Sequence, residues 1–238
     1  MSKHIVKSYD AEFSELDRMT AQMGGFAEKL LGDAFAALDR RDLQLAAKAI
    51  EDDREIDRLE RQVQDRVIAM IAKRQPMAND LRHVMTVLKI VGDLERIGDL
   101  AKNIAKRATA VSGENYPRSL MSGLGHMAEL AQQQLKDVLD AFGTRDDAKA
   151  LAVWRGDVRL DNLYESVFRE LLTYMMEDPR NIGPCTHLLF GAKNIERIGD
   201  HTTNIAENIH YLVTGSILSD DRPKGASTST LSITKPAT

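Results

Sequence analysis

At 238 residues, with 43% hydrophobic and 29% charged, the chain has the length and balance of a soluble globular protein of one large domain or two small ones. A formal charge of −4 and a pI near 5.9 give no basic excess of the kind a nucleic-acid binder presents. The opening MSKHIVKSYDAEF has no apolar signal core, no run approaches the roughly 18 apolar residues of a membrane span, and one cysteine, Cys185, allows no intramolecular disulfide.

The expectation is a cytoplasmic protein in a reducing compartment, without nucleic acid, meeting a membrane only through partners. Aromatic residues are 5% of the chain, and Gly and Pro are sparse over the first two hundred positions, which favours helix. A 3.6-residue apolar period predicts helices over 6–40, 42–74 and 77–112, and again over 116–143, 145–177 and 180–214. The breaks fall at Arg41-Asp42, Gln75-Pro76, Ser112 to Pro117, Gly143-Thr144 and Asp178-Pro179. Pro76 and Pro179 are each expected to open a helix, where the missing N–H is not needed. Short links between long helices imply antiparallel neighbours. No segment alternates with period two, so no sheet is expected. The last stretch, GSILSDDRPKGASTSTLSITKPAT, is too polar for a core and reads as a disordered tail.

The chain also repeats itself. ERIGDLAKNIA at Glu95–Ala105 and ERIGDHTTNIA at Glu196–Ala206 share eight of eleven residues at an offset of 101. Asp33, Asp42, Asp53 and Asp57 match Asp137, Asp146, Asp157 and Asp161 at an offset of 104. The fold class is therefore all-α, two tandem three-helix bundles made by duplication. The expected divisions are 1–113, 114–214 and a 215–238 tail.

Four acidic pairs stand at i, i+4: Asp53/Asp57, Glu95/Asp99, Asp157/Asp161 and Glu196/Asp200. That spacing sets both carboxylates on one helix face. Taken singly, such a pair reads as a solvated face, with Arg54, Arg58, Arg96 and Arg197 at hand for surface salt bridges. Two features argue for more. Leu81, Val84, Leu88 and Val91 step at helical spacing into Glu95 and Asp99. Ile182, Cys185, Leu189 and Ala192 step likewise into Glu196 and Asp200, and Ala46 and Ile50 into Asp53 and Asp57. Carboxylates on a buried stripe disfavour one another's ionisation and need a cation, usually a metal. Second, each half carries one pair on its middle helix and one on its last, so antiparallel packing can oppose them.

All-oxygen ligation suits hard ions such as Mg²⁺, Mn²⁺, Ca²⁺ or Fe³⁺, and carboxylates can bridge several ions. The spacing does not choose among iron, manganese, magnesium and zinc. His201 follows Asp200, but one residue turns it about 100° off that face. Cys185, Trp154, Met175 and Met176 read as core. Gly98 and Gly199, at equivalent positions inside helices, read as points of close helix approach. A ferritin-like metalloenzyme or metal-storage bundle would need duplicated Glu-x-x-His, and only Glu207/His210 matches. A purely structural bundle accounts for the helices but not for the duplicated acidic stripe.

The duplicated ERIGD…NIA segment with its paired acidic motifs resembles the PhoU family over almost the whole chain to about Thr214. The resemblance implies a metal-binding accessory protein of phosphate-specific transport that restrains the phosphate-starvation response and commonly dimerises. It implies as partners the ATP-binding subunit of a phosphate ABC transporter and a membrane sensor histidine kinase. Carried onto this sequence, the metal ligands would be Asp53, Asp57, Glu95 and Asp99 in one half, and Asp157, Asp161, Glu196 and Asp200 in the other. Asp93 against Asn194 is an asymmetry that would make the sites differ if that position adds charge.

Overall fold

The computed structural model describes residues 2–113 and 119–218. Of the expected break at Ser112 to Pro117, residues 114–117 lie outside them, as does the expected tail beyond 218. The helices are α1 (Ser2–Arg40), α2 (Leu43–Arg74), α3 (Asn79–Val111), α4 (Ser119–Thr144), α5 (Asp147–Gly156), α6 (Val158–Glu177) and α7 (Ile182–Thr214), with a 3-10 turn at Pro179–Asn181. Among the described residues there is no strand. None of these helices is long and apolar enough to cross a membrane.

The duplication is visible in how helices start. Asp42 caps α2, its Oδ1 accepting from the backbone N–H groups of Gln44 and Leu45 at 3.0 Å each. Asp146, its counterpart, caps α5 by accepting from Lys149 N at 3.0 Å. These carboxylates satisfy N–H groups that a helix start leaves open. The residue before each cap, Arg41 or Arg145, is left-handed with φ 56°. That is uncommon outside glycine, so one sharp corner has been built twice.

Three details depart from the sequence reading. Pro76 does not open α3, which starts three residues later at Asn79, because Gln75 and Ala78 both take positive φ and turn the chain twice first. Pro179 opens the 3-10 turn ahead of α7. The helix expected over 145–177 is interrupted at Asp157, yet Asp157 keeps helical angles (φ −63°, ψ −32°) and its carbonyl accepts from Leu160 N at 2.8 Å and Asp161 N at 3.2 Å. The break is thus a one-residue tightening, and the six-rod architecture stands.

Each half packs three rods around apolar side chains: Leu16, Leu31, Ile56, Val63, Ile90 and Ile97 in the first, Leu124, Leu135, Phe142, Leu160, Cys185 and Ile195 in the second. Helix α3 lies against α7, and α1 against α4, so the bundles share one continuous core. Trp154 is buried within it, as expected. Leu81 and Ile182 are exposed, because their stripes run out at the hairpin ends. Met175 packs on the core, but Met176 is 85% exposed and is corrected from core to surface.

Replacing Asp42 or Asp146 by Ala should each cost about 1 kcal/mol through the lost cap. In a chain of this size that lowers the melting temperature by roughly 2–4 °C. Thermal unfolding of the two variants checks both caps.

Candidate metal centre

None of the eight predicted carboxylates is exposed. In the first half Asp53 and Asp57 on α2 look towards Glu95 and Asp99 on α3. Asp53 is 2% exposed, and its Oδ1 lies 3.2 Å from where a β-carbon on Gly98 would stand. The glycine lets the carboxylate lie against the α3 backbone. Lys102, one turn beyond Asp99, places Nζ 2.6 Å from Asp53 Oδ2 and 2.6 Å from Asp99 Oδ1. An ammonium thus bridges the two helices.

The electrostatics follow. Burial raises the pKa of Asp53, and the Lys102 hydrogen bond only partly offsets it. Burial, then the charge of Asp99, raises Glu95, with Glu60 and Asp57 adding to the repulsion. Burial works against the Lys102 ammonium, but its hydrogen bonds to Asp53 and Asp99 prevail and raise its pKa.

The second half repeats the plan with different neighbours. Asp157, 1% exposed, sets Oδ1 2.9 Å from the β-carbon position of Gly199. Lys193 Nζ pairs with Glu196 Oε2 at 2.7 Å and stands over the Tyr164 ring. Burial raises the pKa of Glu196; Asp200 and Asp161 add to the rise while Lys193 opposes it. Helix α4 contributes Gln134, 6% exposed, whose Oε1 also faces Gly199, 3.7 Å from the β-carbon position.

Among the described residues, no three His, Cys, Asp or Glu side chains stand together at metal-ligand spacing. Lysines hold carboxylates of both sets. The residues nevertheless fit a hard cation. Asp53 Oδ1 and Gln134 Oε1 are buried with no hydrogen-bond partner, and such oxygens carry a desolvation cost that a cation would remove. The donor set is all oxygen, as hard ions require.

Lys102, Lys193 and Gln134 stand at these sites and were not singled out in the sequence. The signal for Lys102 was present: it is one of the three mismatches in the repeated eleven-residue segment, against Thr203. Gln134 stands opposite Leu30 at the 104-residue offset. The Asp93/Asn194 difference lies elsewhere. Asp93 Oδ1 is 2.9 Å from His201 Nδ1 and accepts from Asn204 Nδ2 at 3.3 Å, across the α3–α7 seam. His201 is accordingly turned off the carboxylate face. Glu207 accepts from Trp154 Nε1 at 2.9 Å, and His210 Nδ1 pairs with Asp147 at 2.7 Å, so the lone ferritin-like match serves α5–α7 packing.

Gly98→Ala and Gly199→Ala test the buried aspartates. A β-carbon at 199 would overlap Leu160 Cδ2 and press on Asp157; at 98 it would meet Ile56 Cδ1 at 2.8 Å. Overpacking of about 1–3 kcal/mol outweighs the roughly 1 kcal/mol gained in helix propensity. Both variants should melt below the parent, Gly199→Ala lower of the two. A Gly199→Ala protein as stable as its parent would contradict the close approach.

Similarity to known proteins bears on the same segments. The model of the PhoU domain matches residues 20–108 and 124–209, once in each half. The chain is 55% identical over 228 residues, 96% of each chain, to the phosphate-specific transport system accessory protein PhoU homolog of Rhizobium meliloti. It is 40% identical to the protein so named in Escherichia coli K12, across 90% of this chain and 89% of that one. Among solved structures, PhoU from Pseudomonas aeruginosa superposes with a TM-score of 0.85 at 38% identity, covering 87% of this chain and all of that one. The phosphate transport system regulatory protein PhoU from Streptococcus pneumoniae gives 0.82 at 27% identity, covering 88% and 99%. With both halves matched and relatives aligned nearly end to end, this chain belongs to the PhoU family.

Proposed function

We propose that this chain is a cytoplasmic accessory protein of a phosphate-specific transport system, which restrains uptake and holds the phosphate-starvation response off while phosphate is plentiful. The observation that carries the reading is family membership in both halves, with relatives named for that system. The family is one of accessory regulatory proteins, and the chain is not an enzyme. In this reading it works as a homodimer. It docks on the ATP-binding subunit of a phosphate ABC transporter and on a phosphate-sensing histidine kinase, and meets the membrane through them.

The carboxylates supply the rigidity such docking needs. Asp53, Asp57, Glu95 and Asp99 would hold metal in the first half, and Asp157, Asp161, Glu196 and Asp200 in the second. The metal supplies positive charge where like charges crowd. The protein's residues do the rest: they tie α2 to α3 and α6 to α7, keep water from Asp53 and Asp157, and fix the outer helix faces that partners meet. The burial of Asp53 and Asp157 against Gly98 and Gly199 supports this reading.

Deleting the gene should switch on a secreted-phosphatase reporter in phosphate-replete cells. A reporter that stays off, with normal phosphate uptake, would count against the regulatory role. For the metal, stripping the purified protein with a chelator should lower its melting temperature and restoring the ion should recover it, since ligands of the folded state stabilise by mass action. An unchanged melt would remove metal from the account.

A further inference from the structure

We propose that Lys102 is an exchangeable stand-in for the ion of the first half: its ammonium holds α2 on α3 while no metal is bound, and it leaves when Asp53 and Asp99 take one. This rests on the metal reading above and concerns the first half alone.

Lys102 Nζ stands 2.6 Å from Asp53 Oδ2 on α2 and 2.6 Å from Asp99 Oδ1 on α3. A hard cation keeps roughly 2.0–2.6 Å from a carboxylate oxygen. The ammonium therefore occupies the place that an ion shared by these two oxygens would need. Two cations in that space clash and repel. The ammonium bridge and an ion bridge on the same oxygens are alternatives.

The charges favour exchange. Asp53, Asp57, Glu95 and Asp99 belong to one cluster with one internal ammonium. Arg96 adds little positive charge there, since it is 62% exposed and stands 3.4 Å from Glu95 and 3.9 Å from Asp99. Asp53 Oδ1 is buried with no hydrogen-bond partner even with Lys102 in place. A divalent ion brings twice the charge of the ammonium and gathers several oxygens at once.

The two sides of the bridge also differ in freedom. Asp53 is buried, with Oδ1 3.2 Å from the β-carbon position of Gly98, so it is held in place. The Lys102 side chain is 22% exposed. Its charge ends a flexible four-carbon stem, so the head reaches water by bond rotation while α3 stays wound. Loading thus replaces one bridge by another and moves a positive charge from between the helices to the outer surface.

The test uses the full chain, stripped by chelator and then given Mn²⁺. Lysines are labelled with acetic anhydride and read by mass spectrometry, which needs no variant to fold. In the stripped protein Lys102 should label slowly, because two carboxylates hold its ammonium. Saturating Mn²⁺ should raise that labelling about tenfold, a size common for coupled sites. Lys29, whose ion pairs are with Asp33 and Asp52, should not change. A lysine in a plain interhelical salt bridge would be shielded further by an ion that tightens the bundle. Labelling of Lys102 that falls or stays level, in protein holding Mn²⁺ by elemental analysis, would overturn the exchange and leave the metal reading intact. Lys102→Met gives a second readout. Stripped, it should melt below the stripped parent, and by equilibrium dialysis one class of Mn²⁺ site should tighten about tenfold. Unchanged affinity would overturn the exchange too. A parent and variant that both bind no Mn²⁺ would overturn the exchange and the metal reading together.

Discussion

Asp53 and Asp157 are carboxylates buried between helices, and the arrangement around each answers the cost of putting them there. A carboxylate removed from water is strongly disfavoured as an anion unless a positive group compensates it. The helix opposite each supplies a glycine, Gly98 or Gly199, so that the carboxylate can approach the backbone. The surrounding rods keep water out. In the first half the ammonium of Lys102, 2.6 Å from Asp53 Oδ2, supplies positive charge at that place.

The duplication explains the architecture and the divergence explains the chemistry. Caps, corners, core stripes and acidic pairs recur at constant offsets, so two bundles with one plan pack side by side along α3–α7 and α1–α4. In the repeated segment the mismatches lie where the halves do different work. Lys102 binds its two carboxylates together, while Thr203 turns back onto its own helix. Leu100 is buried in the core, while His201 reaches Asp93 on the other bundle.

Much of this was legible in the sequence, for physical reasons. The 3.6-residue stripes of Val84–Val91 and Cys185–Ala192 could only be buried helix faces, and the i, i+4 acidic pairs had to lie on them. Helix ends were less legible. Pro76 looked like a helix start because its ring suits one, but left-handed Gln75 and Ala78 are set by the corner and not by a local propensity. Met176 looked like core by hydrophobicity alone, and it is exposed where the stripe runs past the bundle's end. Gln134 was invisible because its role depends on α4 packing over the Asp157 break, a contact between residues far apart in sequence. Lys102 could have been found by asking which positions the two repeats do not share.

The most direct test is anomalous diffraction at the manganese edge from crystals of the full chain grown with Mn²⁺. The account predicts peaks within ligand distance of the Asp53 carboxylate between α2 and α3 and of the Asp157 carboxylate between α6 and α7. An ion seated only on exposed carboxylates, with neither Asp53 nor Asp157 in contact with it, would contradict the claim that buried aspartates call for the cation.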